Sequence, residues 1–483
     1  MDYKKSVLSG FAWEASTKAI VQIMSWVSTI WVARLLSPDD YGIVAISGIF
    51  TGLCQMLAGM GLSSGVVNRN AITTGEVRSV FYLSLLSGAG LYLLLFAISA
   101  PVANWYNLPE LAYVLRVAGT VVIISSIAIV PGAMIMRDLN FRYTALTNMG
   151  ANFVLIISTL TLALIGMGFW SLILATLISQ AFITVVYLCA CKVNFKGWIK
   201  IKDILDVFGY SAKMLGSNLT AYANHQIGQI YSSSFLGQTS TGILQMAYTL
   251  AGLPMSKIGE IFDKVAFPSI SRMKDDKEQA SKIFLLMHRY LFMITCPMFI
   301  GIAIIAEEMI TLLIGEKWLP AVVPLQLFCL LNIFRISGQL VPKVLAGMGN
   351  INASLKFQII TAIALIVALR IGVEYGLIGM LIAWLIAYPC VYVPLILDMR
   401  KTLNITLLEF LGSVYPSLIA SAAMVGAVHL AVKSLTLEIS LTTMFIKMAV
   451  GGATYLVAYC VVAPNDFKKL KQFVQKRPHT STP

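Results

Sequence analysis

Fourteen apolar stretches, each long enough to cross a bilayer, follow one another along this 483-residue chain with only short polar breaks between them. A membrane-spanning helix needs about 20 mostly apolar residues. The pattern therefore predicts an all-α, polytopic membrane protein with 14 transmembrane helices. The predicted spans cover residues 11–36, 41–62, 78–101, 111–135, 143–165, 169–191, 213–236, 241–263, 283–306, 320–345, 353–371, 375–398, 408–432 and 441–463.

Composition agrees with this class, because 58% of the residues are hydrophobic and 12% are charged, against about 25% charged in an average soluble chain. Lysine and arginine collect in every second polar break, for example in 192–202 and 272–282. Basic residues favour cytoplasmic loops, so both termini are predicted to be cytoplasmic and the protein to lie in an inner or plasma membrane. The net charge of +13 is explained by this orientation signal. The bilayer is the expected partner, and nucleic acid is not.

The sequence carries no pattern typical of catalysis. It has neither a Gly-x-x-x-x-Gly-Lys-Ser/Thr phosphate loop nor a His-Glu-x-x-His motif. Its seven cysteines lack the spacing of metal or redox sites. No cofactor and no enzymatic reaction are expected. The predicted outer breaks are short, which disfavours a membrane glycosyltransferase or polysaccharide ligase and favours a transporter.

A weak internal repeat appears at an offset of 200 residues. The segment Arg34-Leu-Leu-Ser-Pro-Asp-Asp-Tyr-Gly-Ile joins the first two spans, and Ser234-Phe-Leu-Gly-Gln-Thr-Ser-Thr-Gly-Ile joins the seventh and eighth. Both halves start in the cytoplasm, which predicts two pseudo-symmetric lobes related by an axis along the membrane normal, with a substrate site at their interface. The predicted organisation is an N-lobe of six spans at 1–191, a cytoplasmic linker at 192–212, a C-lobe of six spans at 213–400, an appendix of two extra helices at 401–467 and a cytoplasmic tail at 468–483.

Polar side chains recur on one face of the first and seventh spans at the steps of a helix. Charged groups in hydrocarbon usually face a bundle interior or a wet cavity, so both faces are candidate cavity linings. Glu14 and Lys18 could also form an i,i+4 ion pair, and His225 is either a proton relay or a hydrogen-bonded structural group. The candidates are Glu14, Lys18 and Gln22 in the first span, and Asn218, Tyr222, His225 and Gln229 in the seventh.

The tenth span gives the most specific signal, since Asn332, Arg335, Gln339 and Lys343 share one face and Arg335 lies close to mid-membrane. A guanidinium there needs a cavity, a partner or a ligand, and it binds phosphate oxygens in a two-point fork. Either this face recognises an anion, or Arg335 pairs with an acid in the eighth span.

The roles of four further charged residues remain open in the same way. Arg116 in the fourth span either serves the same cavity or extends to the outer surface. The charged residues near the cytoplasmic end of the eighth span form either a gate or a solvated helix end; they are Lys257, Glu260 and Asp263.

Several of these segments resemble a known family. The stretches beginning Phe235-Leu-Gly-Gln-Thr-Ser-Thr-Gly, Phe267-Pro-Ser-Ile-Ser-Arg and Gly315-Glu-Lys-Trp-Leu-Pro, together with Ala33-Arg-Leu-Leu-Ser-Pro, are similar to the polysaccharide transporter family. Its members are flippases for lipid-linked sugar repeat units within the multidrug/oligosaccharidyl-lipid/polysaccharide superfamily. The chain is similar to exporters of the colanic acid and teichuronic acid type, and the similarity covers about residues 5–400.

This resemblance implies a two-lobed fold whose central cavity alternates its access. The implied substrate is an undecaprenyl-pyrophosphate-linked oligosaccharide in a bacterial membrane, with a polymerase and glycosyltransferases as pathway partners. Many relatives have an acid in the seventh span, where this chain has His225-Gln-Ile-Gly-Gln-Ile, so the resemblance does not supply a coupling ion. A cation-coupled multidrug exporter of the same superfamily is the alternative transporter, and the basic residues of the tenth span argue against it.

Overall fold

The computed structural model describes residues 24–59, 73–138, 140–191, 219–271, 273, 276–435 and 438–466. For some of these residues, including 255–271, it describes the backbone but not the side chains. Every regular element in these ranges is a helix, as predicted. The chain divides into two compact units, Met1–Gln245 and Met246–Pro483. The predicted linker and tail, and the candidates Glu14, Lys18, Gln22 and Asn218, lie outside the described residues.

Helices of the first unit pack into a core formed by residues such as Ile46, Leu115 and Val122, each fully buried. Helix α2 packs against α3 and α5, α5 packs against α7, and α6 packs against α7. A π-helical turn, Ser232–Leu236, leads from α8 into α9. The elements are α1 (24–35), α2 (Pro38–Gly59), α3 (Thr74–Trp105), α4 (Glu110–Ala118), α5 (Thr120–Arg137), α6 (Phe141–Leu164), α7 (Trp170–Ala190), α8 (219–231) and the start of α9 (Gly237–Ser271).

In the second unit, α10 packs against α11 and α14, while α11 also packs against α12 and α13. The pairs α12–α13 and α14–α15 are in extensive contact. A π-helical turn (Met309–Ile314) and a 3₁₀ turn (Glu316–Ala321) precede α11. The helices are α10 (Lys277–Ile304), α11 (Val322–Gly347), α12 (Ile351–Gly372), α13 (Gly376–Leu403), α14 (Leu407–Leu435) and α15 (Leu441–Val462).

Side-chain caps determine where several helices begin. Thr73 and Glu76 form a reciprocal capping box at the start of α3. Thr406 and Glu409 do the same for α14: the Thr406 N–H donates to Glu409 Oε2 (2.8 Å), and the Glu409 N–H donates to Thr406 Oγ1 (3.2 Å). Gly376 starts α13 at φ +75°, a backbone angle at which a side chain would be strained. Local sequence therefore fixes these helix starts.

Ten helical stretches among the described residues are long and apolar enough to cross a membrane. Nine match one predicted span each. The tenth, Lys356–Leu403, holds two, because a 3₁₀ turn at Val373–Tyr375 divides it into α12 and α13. The described parts of the first, seventh and eighth predicted spans are the helices α1, α8 and α9. The protein is a polytopic membrane protein, while the total of 14 spans and the cytoplasmic position of both ends stay predictions.

Buried polar contacts attach α15 to α10 and to the segment that follows α10. Arg289 Nε of α10 lies 2.7 Å from Asp466 Oδ2 just after α15, and the Tyr455 hydroxyl donates to the Met293 carbonyl (2.7 Å). Lys447 of α15 pairs with Glu308 between α10 and α11, and both side chains are largely buried. Compensated charges therefore help to hold α15, while α14 and α15 both pack against α10 through apolar side chains.

His288 of α10 joins three helices at once. Its Nδ1 lies 2.7 Å from Ser413 Oγ of α14, and its Nε2 lies 2.8 Å from Ser337 Oγ of α11. The Ser413 hydroxyl donates its own proton to the Phe410 carbonyl (2.6 Å), so it accepts from the imidazole. The ring therefore carries a proton on Nδ1, and in its neutral form it accepts at Nε2 from the Ser337 hydroxyl. Sequence analysis did not single out His288 as part of a site, and its role here is structural.

Candidate functional site

The predicted polar face of α11 is present, but its members face different surroundings. Asn332 is only 3% exposed, and its Nδ2 donates to the Ala251 carbonyl of α9 (3.0 Å). Arg335 is half-buried and its Nη1 donates weakly to Asn332 Oδ1 (3.4 Å). Gln339 is exposed and Lys343 is half-buried. Asn332 thus holds two helices together and orients Arg335, while Gln339 is open to its surroundings.

Arg335 lies among neutral aromatic side chains. Its Cζ is 5.5 Å from the centre of the Tyr248 ring of α9, a cation–π distance, and Tyr392 of α13 contacts α11 one turn away, at Gly338. No carboxylate forms an ion pair with it among the side chains that the structure describes. An uncompensated cation at membrane depth is costly. Among the described side chains, the guanidinium of Arg335 therefore has neutral neighbours.

The predicted alternative, a pair between Arg335 and Glu260 or Asp263, is not tested. Both acids lie on α9, where the structure describes the backbone alone, and the same holds for Lys257. The gate hypothesis for these three residues likewise stays a prediction.

Sequence analysis missed the tyrosines around Arg335. Their signal was the spacing of Trp384, Tyr388 and Tyr392, which puts three amphipathic aromatic rings on one face of α13 at steps of four. Tyr392 approaches α11 closely at Gly338, where an added Cβ would lie 2.3 Å from the tyrosine oxygen. A glycine on one helix and an aromatic residue on the next were not recognised as contact partners, because nothing in the sequence pairs the two helices.

A second distinctive feature, in the first unit, is the contact between the two repeated turns, which we call the turn clasp (residues 37–42 and 237–242). A Cβ added at Gly42 would lie 2.1 Å from the Gln238 carbonyl oxygen, and one added at Gly242 would lie 1.8 Å from the Pro38 carbonyl oxygen. Neither position has room for a side chain. The contact is reciprocal under the 200-residue offset, since residue 42 meets 238 and residue 242 meets 38.

Side chains strengthen the turn clasp. Gln238 Nε2 donates to the Asp39 carbonyl (2.7 Å), and Thr239 Oγ1 donates to Asp39 Oδ1. Asp40 caps α2 through the Ser37 N–H (2.7 Å) and also accepts from the Phe169 N–H at the start of α7 (3.0 Å). The turn between the first two spans is therefore held rigidly on both of its sides. The same family-like segments that form the repeat make this contact.

The candidates on α8 are divided between helix packing and exposure. The Tyr222 hydroxyl donates to the Ile49 carbonyl of α2 (2.7 Å), opposite Gly52, where an added Cβ would meet it at 2.7 Å. Gln229 hydrogen-bonds Gln245 of α9. His225 is exposed. Tyr222 and Gln229 thus serve helix–helix contacts, and a role of His225 as a proton relay stays a prediction.

Arg116, at the end of α4, is held by α3. Its Nε donates to Ser99 Oγ (2.9 Å), and its Cζ lies 4.8 Å from the centre of the Phe96 ring and 5.8 Å from that of Tyr113. Hydrogen bonding and stacking of this kind stabilise an arginine without an acid. These contacts give Arg116 a local structural role in the first unit.

The fold is shared with solved membrane transporters. The structure of "Lipid II flippase MurJ, inward closed conformation" matches with a TM-score of 0.77 at 16% identity, covering 94% of this chain and 99% of that one. An inward-facing multidrug resistance MATE family transporter of the MOP superfamily matches with a TM-score of 0.61 at 16% identity, covering 79% of this chain and 94% of that one. At such identities the similarity establishes the fold alone, and the fold occurs in proteins with different substrates.

Full-length relatives come from bacterial polysaccharide loci. The teichuronic acid biosynthesis protein TuaB of Bacillus subtilis is 25% identical over 482 residues, which cover 96% of this chain and 98% of the relative. A membrane protein in the cps region of Klebsiella pneumoniae is 23% identical over 474 residues, covering 96% of both chains. The similarity therefore extends over nearly the whole chain.

A family model provides the closing evidence. The model described as "Polysaccharide biosynthesis protein" matches residues 31–323, which is more than half of the 483 residues. The match includes the turn clasp and the start of α11, and the predicted resemblance is confirmed. This multi-pass bacterial membrane protein belongs to the polysaccharide biosynthesis protein family.

Proposed function

We propose that the protein is a flippase that moves undecaprenyl-pyrophosphate-linked oligosaccharide repeat units to the outer leaflet for cell-surface polysaccharide synthesis. It works by alternating access and carries out no chemical reaction on its substrate. Flipping needs two conformations and a ligand that binds them differently. Glycosyltransferases that build the repeat unit and a polymerase that consumes it are the implied pathway partners.

The observation that carries this proposal is Arg335. A pyrophosphate headgroup bears about two negative charges and must cross a region where an unpaired charge costs several kcal/mol. The guanidinium of Arg335 has neutral partners in Asn332 and Tyr248, so its charge is free to compensate phosphate oxygens. Its planar fork suits two oxygens at once. Lys343, two turns further along α11, is placed to receive the headgroup at an earlier stage.

The alternative of a cation-coupled multidrug exporter fits this site less well. Such a site must attract a cationic or apolar drug, whereas a guanidinium surrounded by neutral groups repels cations. Since MATE transporters share the fold, the architecture does not discriminate, and the charge at Arg335 does. A glycosyltransferase or polysaccharide ligase is the alternative from another class of protein. It is disfavoured by the short predicted outer breaks, where such proteins would be expected to carry their catalytic residues.

In this proposal the turn clasp closes the outer end of the pathway. Separating the two turns breaks the close approach at Gly42 and Gly242 and two side-chain hydrogen bonds to Asp39, whose groups are exposed. Such a contact can open without leaving many buried polar groups unsatisfied. Lys257, Glu260 and Asp263 are the corresponding candidates for the cytoplasmic gate.

The test uses cells that depend on this chain for polysaccharide export. Arg335→Lys keeps the charge but loses the two-point fork, so export should fall clearly. Arg335→Ala should reduce it further, with lipid-linked repeat units accumulating in the cytoplasmic leaflet of intact spheroplasts. The matched control is Arg370→Ala, which removes an exposed arginine paired with Glu374 and should leave export unchanged.

Two other outcomes are decisive. Normal export by an abundant Arg335→Ala protein would rule out the anion site. Loss of protein abundance in Arg335→Ala, restored when Glu260 or Asp263 is also neutralised, would assign Arg335 to a structural pair. Cleavage or formation of a sugar–lipid bond by the purified protein would exclude the flippase itself.

A further inference from the structure

The face of α13 formed by Trp384, Tyr388 and Tyr392, here called the aromatic ladder, has features that packing alone does not explain. The ring centres of Tyr388 and Tyr392 are 5.8 Å apart, and the ring centre of Trp384 is 5.7 Å from that of Phe328 on α11. Tyr388 is half-buried, while Trp384 and Tyr392 are 3% and 6% exposed. The two outer rings of the ladder are thus buried, and the middle ring is partly accessible.

Two polar groups of the ladder are buried and donate to no acceptor among the described residues. They are the indole Nε1 of Trp384 and the hydroxyl of Tyr392, whose oxygen lies against the backbone of Gly338. Buried tryptophan N–H and tyrosine O–H groups normally find a partner, and leaving one unsatisfied costs about 1–3 kcal/mol. Phenylalanine would fill the same space without this cost. Two such groups on one helix face indicate that a polar partner is supplied in another state of the protein.

The ladder lies beside the guanidinium of Arg335. Tyr392 of the ladder contacts α11 at Gly338, one turn from Arg335. On the other helix, Tyr248 lies with its ring centre 5.5 Å from the guanidinium and packs edge-on against Phe328 at 5.5 Å. Aromatic side chains of α9 and α13 therefore both lie against α11 near its cation. A ligand whose anionic end is bound by Arg335 has its adjoining group against these rings.

A sugar ring matches this surface chemically. It presents an apolar C–H face, which suits an aromatic ring, and a rim of hydroxyl groups, which accept from N–H and O–H donors. We propose that the aromatic ladder binds the sugar directly attached to the pyrophosphate, with Trp384 and Tyr392 donating to its oxygens and Tyr388 stacking on its face. This inference rests on the proposed function, since it takes Arg335 as the pyrophosphate contact. It makes the ladder the element that distinguishes a glycosylated lipid from a bare isoprenyl pyrophosphate.

An isoprenyl chain is the other group that could lie against aromatic rings, and it predicts a different chemistry. A hydrocarbon gains nothing from unsatisfied N–H and O–H donors, and burying them against it is unfavourable. The donors therefore favour the sugar. The two ligands can be separated by removing the polar atoms while keeping the rings.

The experiment measures binding to the purified full-length protein in nanodiscs. The two probes are farnesyl pyrophosphate and farnesyl-pyrophosphoryl N-acetylglucosamine. The variants Trp384→Phe and Tyr392→Phe remove one donor each and keep an aromatic ring. Each should weaken binding of the sugar-bearing probe about tenfold, the effect of losing one buried hydrogen bond, and leave binding of farnesyl pyrophosphate unchanged. Arg335→Gln should weaken binding of both probes.

Thermal unfolding without ligand separates a binding role from a structural one. Because each donor is unsatisfied, Trp384→Phe and Tyr392→Phe should unfold at the parent temperature or above it. The matched control is Tyr455→Phe, which removes a hydroxyl that donates to the Met293 carbonyl; it should unfold at a lower temperature and bind both probes normally.

Each result has a separate meaning. If the ladder variants weakened the binding of both probes equally, or of neither probe, the sugar assignment would be overturned. Loss of the sugar-bearing probe alone in the ladder variants, with both probes still bound by Arg335→Gln, would keep the sugar site and reject the anion role on which the proposed function depends.

Discussion

The second unit contains basic side chains in two contrasting environments. On the α10–α15 side, Arg289 pairs with Asp466 and Lys447 pairs with Glu308, and both pairs connect elements far apart in the chain. On α11, Arg335 lies among an amide and tyrosines. All three cations are at least partly buried, yet only the first two have an acid within reach among the described side chains.

This difference separates charges that are paired between distant elements from the charge of Arg335, which the proposed function assigns to ligand binding. A buried ion pair is self-sufficient: each member compensates the other, and the contact is lost when one is removed. The described groups around Arg335 are neutral and do not compensate its charge. The proposed function assigns that role to a transient anionic ligand.

The largest effect is expected where an ion pair is broken on one side. Lys447→Met leaves the carboxylate of Glu308 buried without its partner, and the free energy of unfolding should fall by about 3–5 kcal/mol. Unfolding in detergent micelles measures this loss. The double variant with Glu308→Met should recover most of it, because no charge then remains buried. A double variant as unstable as the single one would show that the loss does not come from the unpaired carboxylate of Glu308.

An intermediate effect tests whether helices can also be held together without charge. In the turn clasp, Gly242→Ala places a methyl group against the Pro38 carbonyl and should destabilise the closed contact by about 1–3 kcal/mol. Gly42→Ala should act in the same direction, because it meets the Gln238 carbonyl. Crosslinking between cysteines introduced at Asp39 and Thr239 should decrease in both variants.

The controls for the clasp lie on the same two helices. Gly48 on α2 and Gly252 on α9 have open space around the position of an added Cβ. Gly48→Ala and Gly252→Ala should leave crosslinking unchanged. A decrease in these two variants as large as in the clasp variants would remove the steric explanation.

The smallest effect on stability is expected at Arg335. Because its partners are neutral, Arg335→Gln breaks no described ion pair and should change the free energy of unfolding by less than about 1 kcal/mol, although it should strongly reduce export. A loss comparable to that of Lys447→Met would erase the contrast between the two environments and assign Arg335 a structural role.

Much of the fold was predictable because membrane helices satisfy their backbone polar groups internally. Length and hydropathy then suffice to find them, and α3, α10 and α15 were predicted with boundaries that differ from the structure by a few residues. The predicted fourth span is split at Gly119 into α4 and α5, a detail that hydropathy does not register. The face of α11 that carries Arg335 was also predictable, from helical periodicity alone.

The roles of individual polar residues were much less predictable. Asn332 and Tyr222 have the sequence context of cavity residues, yet they donate to carbonyls of neighbouring helices. The aromatic ladder and the hydrogen bonds of His288 were missed altogether, since they depend on which helix packs against which. Periodicity shows which residues share a face. It does not show what that face meets.

The sequence by itself determined the class of protein, the positions of most spans, the repeat at an offset of 200 residues and the basic face of α11. These are local properties, set by hydrophobicity, by helical periodicity and by the backbone's need for internal hydrogen bonds. The tertiary structure alone decided that Gly42 and Gly242 meet each other's turns, that Arg289 and Lys447 find acids, and that Arg335 finds tyrosines. Those outcomes depend on contacts between residues far apart in the chain, where a few ångströms of helix packing determine whether a charge is compensated.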